Sequence, residues 1–290
     1  MHQLRLRETV RVEGRDFWGR HALLTFSNNL QENGWVWRVR REDIHITPDL
    51  IQSRPRRIAL VHGEHELNEF EHIGFLRAAG LEHVRVELTG KRTWPPYFGG
   101  AWQVWQAVMP HTEKSGELKP YQVQLGDTVG PICARLPHDP SRWTQFVPHS
   151  NAENAKQLSI HVTIHFPRIS KESAQAVYDW KNVVDLRDIA HARTLGWPPL
   201  LYYLSRFAHA LGWPHHPRIA WKQEEFSRDL LQEIAEHRLQ DMLGTLPFLA
   251  PPGHHITGAF QSHKGNHQTD VMLLKTLASA KVVTFRKQVA

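Results

Sequence analysis

Hydrophobic and polar residues alternate with a period of two along much of the first hundred residues, which predicts β-strands. The segments ETVRVEG, HALLTFS, GWVWRVRRED and HVRVEL have this alternation, and RRIALVHG is a short apolar run. Helical spacing replaces it over residues 68–79, where apolar residues recur every three or four positions and Gly80 suits the residue after a helix. A second, short helix is predicted over residues 101–109.

A polar segment that contains Gly and Pro, HTEKSGELKP at residues 111–120, interrupts this pattern and predicts a domain boundary. Beyond it, YQVQLGDTV, QLSIHVTIHF and HITGAFQSH have the pattern of strands. Helices are predicted for SKESAQAVYDWKNVVDLRDIAHA, for residues 223–246 and for GNHQTDVMLLKTLAS. Both halves mix strands and helices, so the sequence predicts an α+β protein with two domains, 1–113 and 121–290.

Composition narrows the class of protein. Apolar residues make up 41% of the 290 residues, enough to bury a core, and no apolar run is long enough to span a membrane. The N-terminus lacks the apolar segment of a secretory signal, and the single cysteine suits a reducing compartment, so we expect a cytoplasmic protein. The net charge of +6 favours anionic partners, but no nucleic-acid-binding motif accompanies it, and we expect no nucleic acid.

A chain with 21 histidines and one cysteine prompts a search for a metal site built from histidine and carboxylate. His237 and Asp241 are four residues apart on a predicted helix, so both side chains lie on one face and can bind one ion. A hydrogen bond between the two at the surface is the alternative.

Two further segments carry candidate chemistry. In HELNEFEH, Glu71 precedes His72, but the segment is not the His-Glu-x-x-His motif of zinc proteases, and Asn68 with Glu71 would also suit a helix capping box. In SHKGNHQTD, His267 follows a Gly-Asn turn at the start of a predicted helix. Backbone N–H groups there, with Lys264, would hold an anion, or Asn266 is an ordinary cap.

Four blocks, in order along the chain, resemble UDP-3-O-acyl-N-acetylglucosamine deacetylase, the zinc enzyme family of lipid A synthesis. FEHIGFLRAAGLEHVRVEL resembles its Val-Glu-His helix and following strand, and HARTLGW resembles its Ala-Arg-Thr-Phe-Gly-Phe. HRLQDMLGTLPFL resembles its His-Lys-x-Leu-Asp-x-x-Gly-Asp-Leu helix, and ITGAFQSHKGNHQTDVMLLKTL resembles its strand-turn-helix ending in Lys-Ser-Gly-His. The resemblance spans nearly the whole chain and implies a two-domain β-α-α-β sandwich with the active site between the domains.

The resemblance also implies a metal centre. His72, His237 and Asp241 would bind Zn²⁺, and two histidines with one carboxylate would also accept Fe²⁺ or Co²⁺. Glu71 would be the general base. Of the two Glu-His pairs in the first block's neighbourhood, the resemblance selects Glu71-His72 and leaves Glu64-His65 as structural residues of the preceding turn.

Four more residues receive roles from the resemblance. His267 would be the general acid that protonates the leaving amine, and Thr194 would help to polarise the amide carbonyl. Lys264 matches a lysine of the family, and Arg238 stands where the family has lysine. Both cations suit substrate phosphates.

The chain departs from the family pattern near the site. The family's Gly-Asp after the His-x3-Asp helix is Gly244-Thr245 here, and Asp270 is the substitute that spacing suggests for the missing support of His267. PPLLYYLSRFAHALGWPHHPRIAW, after Thr194, lacks the family's Gly-Gly-Ser block, and WPPYFGGAWQVW lacks its Asp-Gly-Ser. These differences predict retained chemistry on a different substrate.

The sequence therefore predicts a zinc-dependent amide hydrolase that removes an N-acyl group, in the simplest case acetyl, from a small molecule. An amino sugar, nucleotide-linked or not, and a related N-acylated metabolite are the predicted substrates. One alternative is a different amide or ester in specialised metabolism. Another is a non-catalytic protein that binds a metal or ligand, which the missing aspartate favours and the retained Glu71 opposes.

Overall fold

The structure is a computed structural model and describes residues 1–15, 20–31, 34–55, 57–90, 98–123, 130–148, 157–165, 172–179, 186–192 and 230–280. The α-helices within these residues are α1 (Phe70–Ala78), α2 (Gly100–Val108), α3 (Leu186–Ala190), α4 (Leu230–Leu243) and α5 (His267–Ser279). Short 3₁₀ segments are Pro48–Leu50, Met109–His111 and Leu246–Leu249. No helix in the described part of the chain is long and apolar enough to cross a bilayer.

The strands are numbered in chain order. Those of the first half are β1 (His2–Leu6), β2 (Val10–Arg15), β3 (His21–Asn28), β4 (Val36–Val39), β5 (Glu42–His45), β6 (Ile51–Arg54), β7 (Arg57–His62), β8 (His65–Asn68), β9 (Val84–Gly90) and β10 (Thr112–Glu117). Those of the second half are β11 (Lys119–Gln122), β12 (Ile132–Leu136), β13 (Asp139–Val147), β14 (Leu158–His165), β15 (Ser173–Asp179) and β16 (His254–His263).

Strands of the first half form one five-stranded sheet in the order β2-β3-β9-β4-β5, a three-stranded sheet β6-β7-β8 and the pair β1-β10. The alternation read from the sequence is visible in burial, since Leu24 and Phe26 of β3 and Val84 and Val86 of β9 are buried. Helix α1 packs against α2, β7 and α4. The predicted α+β class is confirmed.

Strands of the second half form a six-stranded sheet in the order β12-β13-β16-β14-β15, with β11 also beside β16. Strand β16 runs parallel to β11 and β14 and antiparallel to β13. Helix α4 covers β14 and β15, and α5 covers β12 and β13. Phe146 and Phe260, with ring centroids 4.9 Å apart, lie in the core of this layer.

Residues 111–120, predicted as a boundary, contain two strands. Strand β10 pairs with the N-terminal β1, and β11 pairs with β16. Among the described residues, β1 to β10 pair with one another and β11 to β16 pair with one another, so the chain passes from one group of sheets to the other at Leu118. The division into domains 1–113 and 121–290 stays a prediction.

Two secondary-structure predictions are wrong. GWVWRVRRED is a hairpin, not one strand, because Arg40 and Arg41 adopt positive φ angles of 49° and 80° between β4 and β5. The helix predicted for residues 170–192 is the strand β15 followed by α3. Ala176 and Tyr178 of β15 are buried with a period of two, and pairing with β14 outweighs the helical preference of the alanines.

Helix boundaries agree more closely. Helix α1 ends near Gly80, whose φ of 95° is the left-handed conformation expected after a helix. Helix α4 ends at Leu243, three residues before the predicted end, and the predicted start at residue 223 lies outside the described residues.

Helices α1 and α4 approach each other closely at two glycines. A Cβ atom at Gly244 would lie 2.6 Å from the carbonyl carbon of Glu71 and would overlap its oxygen. A Cβ atom at Gly74 would in turn overlap the carbonyl oxygen of Gly244. The absence of two side chains therefore lets the first turn of α1 lie directly on the C-terminal end of α4.

Candidate active site

Helix α1 begins differently from the predicted capping box. The helix starts at Phe70, and the preceding Glu69 has a left-handed backbone with φ 56° and no side-chain cap. Asn68 instead accepts a hydrogen bond from Arg57 Nε, and Glu71 turns inward, so the capping-box interpretation is wrong. Glu71 is 2% exposed, and its Oε2 accepts a hydrogen bond of 3.0 Å from the backbone N–H of Ile58. It is thus a buried carboxylate fixed to strand β7.

Helix α4 presents His237 and Asp241 one turn apart. His237 Nε2 lies 3.7 Å from Asp241 Oδ1. On the other side of the ring, His237 Nδ1 lies 3.3 Å from the carbonyl oxygen of Ala192, which follows α3. A proton on Nδ1 donated to this carbonyl leaves the lone pair of Nε2 free to bind a cation.

Helix α5 supplies His267 as its first residue. Asn266 caps the helix by accepting from the N–H of Thr269 at 3.0 Å, and Thr269 Oγ1 accepts from the N–H of Asn266, so the ordinary-cap interpretation is confirmed. The turn before it is anchored because Lys264 N–H donates to Thr163 at 2.8 Å. His267 Nε2 lies 3.0 Å from Asp241 Oδ2.

The three helices bring two overlapping ligand groups together. His72, His237 and Asp241 each offer an atom within 4.8 Å of the others, and so do Glu71, Asp241 and His267. His72 Nδ1 and Asp241 Oδ1 are buried and have no hydrogen-bond partner among the described residues. Because buried polar atoms are normally paired, and imidazole and carboxylate suit Zn²⁺ and Fe²⁺, these residues fit a divalent metal ion.

Burial and neighbouring charge adapt the pKa values to this role. Burial, with repulsion from His237, lowers the pKa of His72 to about 3, so its ring is neutral and able to bind metal at neutral pH. Burial alone would raise the pKa of Asp241, but His237, His267 and Arg238 lower it well below its ordinary value. Neither His72 nor Asp241 therefore needs to lose a proton when a cation binds.

The two remaining groups have their pKa values raised. Burial, with the charge of Asp241, raises the pKa of Glu71 to about 7 against the opposing effect of His267. Burial alone would lower the pKa of His267. The negative charges of Asp241 and Glu71 outweigh burial and raise this pKa above its ordinary value. A carboxyl group whose pKa lies near neutrality, beside a histidine whose pKa is raised, is a combination suited to general base and general acid chemistry.

Residues 3–279 match the family model of UDP-3-O-acyl N-acetylglycosamine deacetylase. The chain belongs to this family. Its members are hydrolytic deacetylases that cleave amide C–N bonds, and the family is one of metalloenzymes. The resemblance seen in four sequence blocks is thereby confirmed.

Relatives in the family are distant. UDP-3-O-acyl-N-acetylglucosamine deacetylase of Methylococcus capsulatus is 24% identical over 266 residues, which cover 84% of this chain and 79% of that protein. The protein of the same name from Acinetobacter baumannii is 23% identical over 282 residues, covering 92% and 89%. The one from Photobacterium profundum is 25% identical over 143 residues, covering 48% and 45%. The chain is a divergent member of the deacetylase family.

The structure places most of the residues that the family resemblance selected. Glu71, His72, His237, Asp241 and His267 converge, whereas Thr194 lies outside the described residues. Glu64, from the Glu-His pair that the resemblance did not select, is exposed in the turn between β7 and β8 and forms an ion pair with Arg40. Lys264 is half-buried in the turn before His267, and its φ of 50° is left-handed.

The position of the family's second aspartate is occupied by Thr245. Its Oγ1 donates to the backbone carbonyls of Asp241 at 3.2 Å and Met242 at 3.3 Å, which closes the end of α4. Asp270 accepts a hydrogen bond from Thr144 and forms an ion pair with Arg238, which in turn contacts Asp241, the partner of His267. That Asp270 substitutes for the missing support of His267 stays a prediction.

Sequence reasoning missed three supporting groups. The backbone N–H of Ile58 holds Glu71, the carbonyl of Ala192 orients His237, and Thr144 binds Asp270. Ala192 lies in the HARTLGW block, which was a usable signal. Ile58 and Thr144 lie in ordinary strands and carry no local signal of their role.

Proposed function

We propose that the protein is a zinc-dependent amide hydrolase that removes an N-acyl group, acetyl in the simplest case, from an acylated amino sugar or a related N-acylated metabolite. The relatives' names make UDP-3-O-acyl-N-acetylglucosamine the first substrate to try. The observation that carries the proposal is the convergence of Glu71 and His267 on the group His72, His237 and Asp241.

His72, His237 and Asp241 would hold the metal ion. A zinc ion there would supply Lewis acidity, which makes water nucleophilic at neutral pH and polarises an amide carbonyl. Three protein ligands leave a coordination position for reactants, as catalytic zinc sites require. Fe²⁺ would suit the same three side chains.

Glu71 and His267 would move the protons. Glu71 would take a proton from the attacking water, since its carboxylate is buried next to the ligands and its pKa is raised to about 7. His267 would donate a proton to the leaving nitrogen, because Asp241 and Glu71 raise its pKa and so favour its protonated form. Asp241 would thus serve the metal through one oxygen and orient His267 through the other.

Thr194 and Lys264 complete the proposed site. Thr194 would donate a hydrogen bond to the oxyanion that forms from the amide carbonyl. Lys264, in the turn that carries His267, would contact an anionic part of the substrate such as a phosphate.

Metal content is the first test. Protein purified without added metal is expected to contain about one zinc or iron ion per chain, and His237→Ala should lose it because the substitution removes one of the three proposed ligands. His161→Ala is the matched control, since His161 is an exposed histidine of β14 that belongs to neither ligand group. Metal analysis by mass spectrometry decides the result, and a wild-type protein that binds no zinc even when zinc is supplied would overturn the proposal.

Acetate release then identifies the substrate class. The panel contains UDP-3-O-acyl-N-acetylglucosamine, the same sugar without the acyl chain, N-acetylglucosamine and N-acetylated amines that lack a sugar. Hydrolysis of any member, lost with a chelator and restored by zinc, supports the proposal. A metal-bound protein that hydrolyses none of them favours the non-catalytic binding protein, to which Thr245 points because it bonds to backbone where the family has an aspartate.

The pH dependence of kcat/KM is expected to be bell-shaped. Glu71 must be ionised, so activity rises with pH through its pKa, which a bound cation moves down from about 7. His267 must be protonated, so activity falls as pH rises through its pKa, which Asp241 and Glu71 raise. His267→Gln should remove the alkaline limb and keep the acid limb, and an alkaline limb that persists would assign the proton donor to another group.

A further inference from the structure

Arg238 is a buried cation beside the metal ligands. Its side chain belongs to α4, directly after His237, and the residue is only 7% exposed. Nη1 donates to Asp241 Oδ2 at 3.4 Å, and Nε donates to the carbonyl oxygen of Gly265 at 3.3 Å. Nη2 forms an ion pair with Asp270 Oδ2. One guanidinium group therefore contacts a carboxylate of the metal site and two points on the segment that carries His267.

Asp270 is the second member of this network. It lies in the first turn of α5 and is 1% exposed. Its Oδ1 accepts a hydrogen bond of 2.9 Å from Thr144 Oγ1 on β13, and Thr144 lies 2.8 Å from Thr269 Oγ1. The network thus connects α4, the start of α5 and the sheet of the second half.

The chemistry of arginine makes this arrangement stiff. The guanidinium group is planar and its donors have fixed directions, so three acceptors around it hold fixed relative positions. Here the acceptors are Asp241, the carbonyl two residues before His267 and the carboxylate three residues after it. A lysine at this position has one flexible ammonium group and lacks this planar set of donors.

The charge of Arg238 is also matched inside the protein. Asp241 and Asp270 both face it, and both are buried. A buried cation already paired with two carboxylates is a poor partner for a substrate phosphate, because a new anion would have to displace charge-assisted hydrogen bonds.

We propose that Arg238, with Asp270 as its counter-charge, is a positioning residue that holds the side chains of Asp241 and His267 in fixed relative positions, and that it does not bind the substrate. This inference rests on the proposed function of the site. It competes with the sequence-based prediction that Arg238 binds a substrate phosphate, and it names the network that orients His267 in a chain with Thr245 at the family's aspartate position.

Arg238→Lys separates the two roles. Lysine keeps the positive charge and suits a phosphate, but it lacks the planar donor fork. A positioning role predicts that kcat on the substrate hydrolysed by the wild type falls by about tenfold or more while KM changes little, as for other residues that orient metal ligands. A phosphate-binding role predicts nearly unchanged kcat, and that result overturns the proposal.

Asp270→Asn tests the counter-charge. This near-isosteric change keeps an acceptor for Thr144 and removes the charge opposite Arg238. We expect a similar loss of kcat, and we expect Arg238→Met with Asp270→Asn together to be no worse than the poorer single variant, because residues in one network are not additive. Losses that multiply in the double variant would show independent roles and contradict the proposal.

Cobalt provides a readout that does not depend on turnover. Each variant is loaded with Co²⁺ alone, and its visible absorption reports the geometry of the ligands, including Asp241. Altered spectra in Arg238→Lys and Asp270→Asn support positioning, whereas spectra identical to that of the wild type contradict it. If the wild type hydrolyses no amide, the proposed function fails, but these spectra still decide whether Arg238 orients Asp241.

Arg142→Met is the matched control. Arg142 Nε donates to the carbonyl of Lys264 at 2.8 Å, one residue before the Gly265 carbonyl that Arg238 contacts. It therefore anchors the same turn through a contact that involves neither Asp241 nor Asp270. Its kcat should stay within about twofold of the wild type, as is usual for a partly exposed residue. An equal loss in Arg142→Met would show that any loosening of the turn lowers activity and would overturn the specific role of Arg238.

Discussion

Glu71→Gln is expected to lower kcat by about a thousandfold while the protein keeps its fold and its metal. The amide is nearly isosteric with the carboxylate, and its oxygen can still accept the hydrogen bond that Ile58 N–H now donates to Oε2. It cannot accept a proton from water, and loss of a general base typically costs between about a hundredfold and ten-thousandfold. Single-turnover rates and metal analysis of the same sample measure the two parts of this expectation.

The chain supplies its own control for this substitution. Glu64→Gln changes the other Glu-His pair, seven residues earlier, where Glu64 is exposed and paired with Arg40. Its kcat should match that of the wild type. If Glu71→Gln retained most of the activity, another group would be the base, and if it lost the metal, Glu71 would belong to the ligand set through the group it forms with Asp241 and His267.

Local patterns in the sequence predicted much of the fold because burial follows them. Strands such as β3 and β14 bury every second residue, and Gly80 ends α1 with the backbone angle that its position requires. The failure at β15 has a physical cause. Its alanines favour a helix in isolation, but hydrogen bonds to β14 and burial of Ala176 and Tyr178 favour a strand, and neither influence is local.

The candidate site was predicted from residues whose type carries the chemistry. Helical spacing paired His237 with Asp241, and the family resemblance added His72 to complete the ligand set. Their convergence needs only that α1 and α4 be neighbours. The incorrect capping-box prediction shows the limit of local reasoning. Asn68 and Glu71 have the right spacing for a capping box. In the structure, however, Asn68 accepts a hydrogen bond from Arg57, and Glu71 accepts one from a backbone N–H of β7.

The supporting network was beyond the reach of a single sequence. Thr144 lies more than a hundred residues from Asp270, and Arg238 meets Gly265 only because two helices pack against one sheet. Such contacts depend on tertiary structure, and polar residues of these types are common on protein surfaces. The position of Asp270 suggested a role near His267, yet only the structure shows that Asp270 contacts Arg238, which contacts Asp241, the hydrogen-bond partner of His267.

Gly244→Ala is expected to damage stability and metal binding together. The added methyl group would lie 2.6 Å from the Glu71 carbonyl carbon, and its neighbours are backbone atoms of α1, which cannot move aside as a flexible side chain can. Overpacking of this kind costs about 3 kcal/mol of unfolding free energy. To relieve it, α1 must move away from α4, and that movement separates His72 from His237 and Asp241. Urea unfolding and zinc titration measure the two effects.

Gly130→Ala distinguishes this effect from a general intolerance of alanine. The φ angle of Gly130 lies outside the left-handed region, and a Cβ atom there would meet no atom of the described residues within 4 Å. The variant should unfold and bind zinc as the wild type does. Gly74→Ala, which introduces its methyl group at the same crossing from the opposite helix, should reproduce the losses of Gly244→Ala. If either crossing variant kept both stability and zinc affinity, the close approach of α1 and α4 would not be what assembles the site.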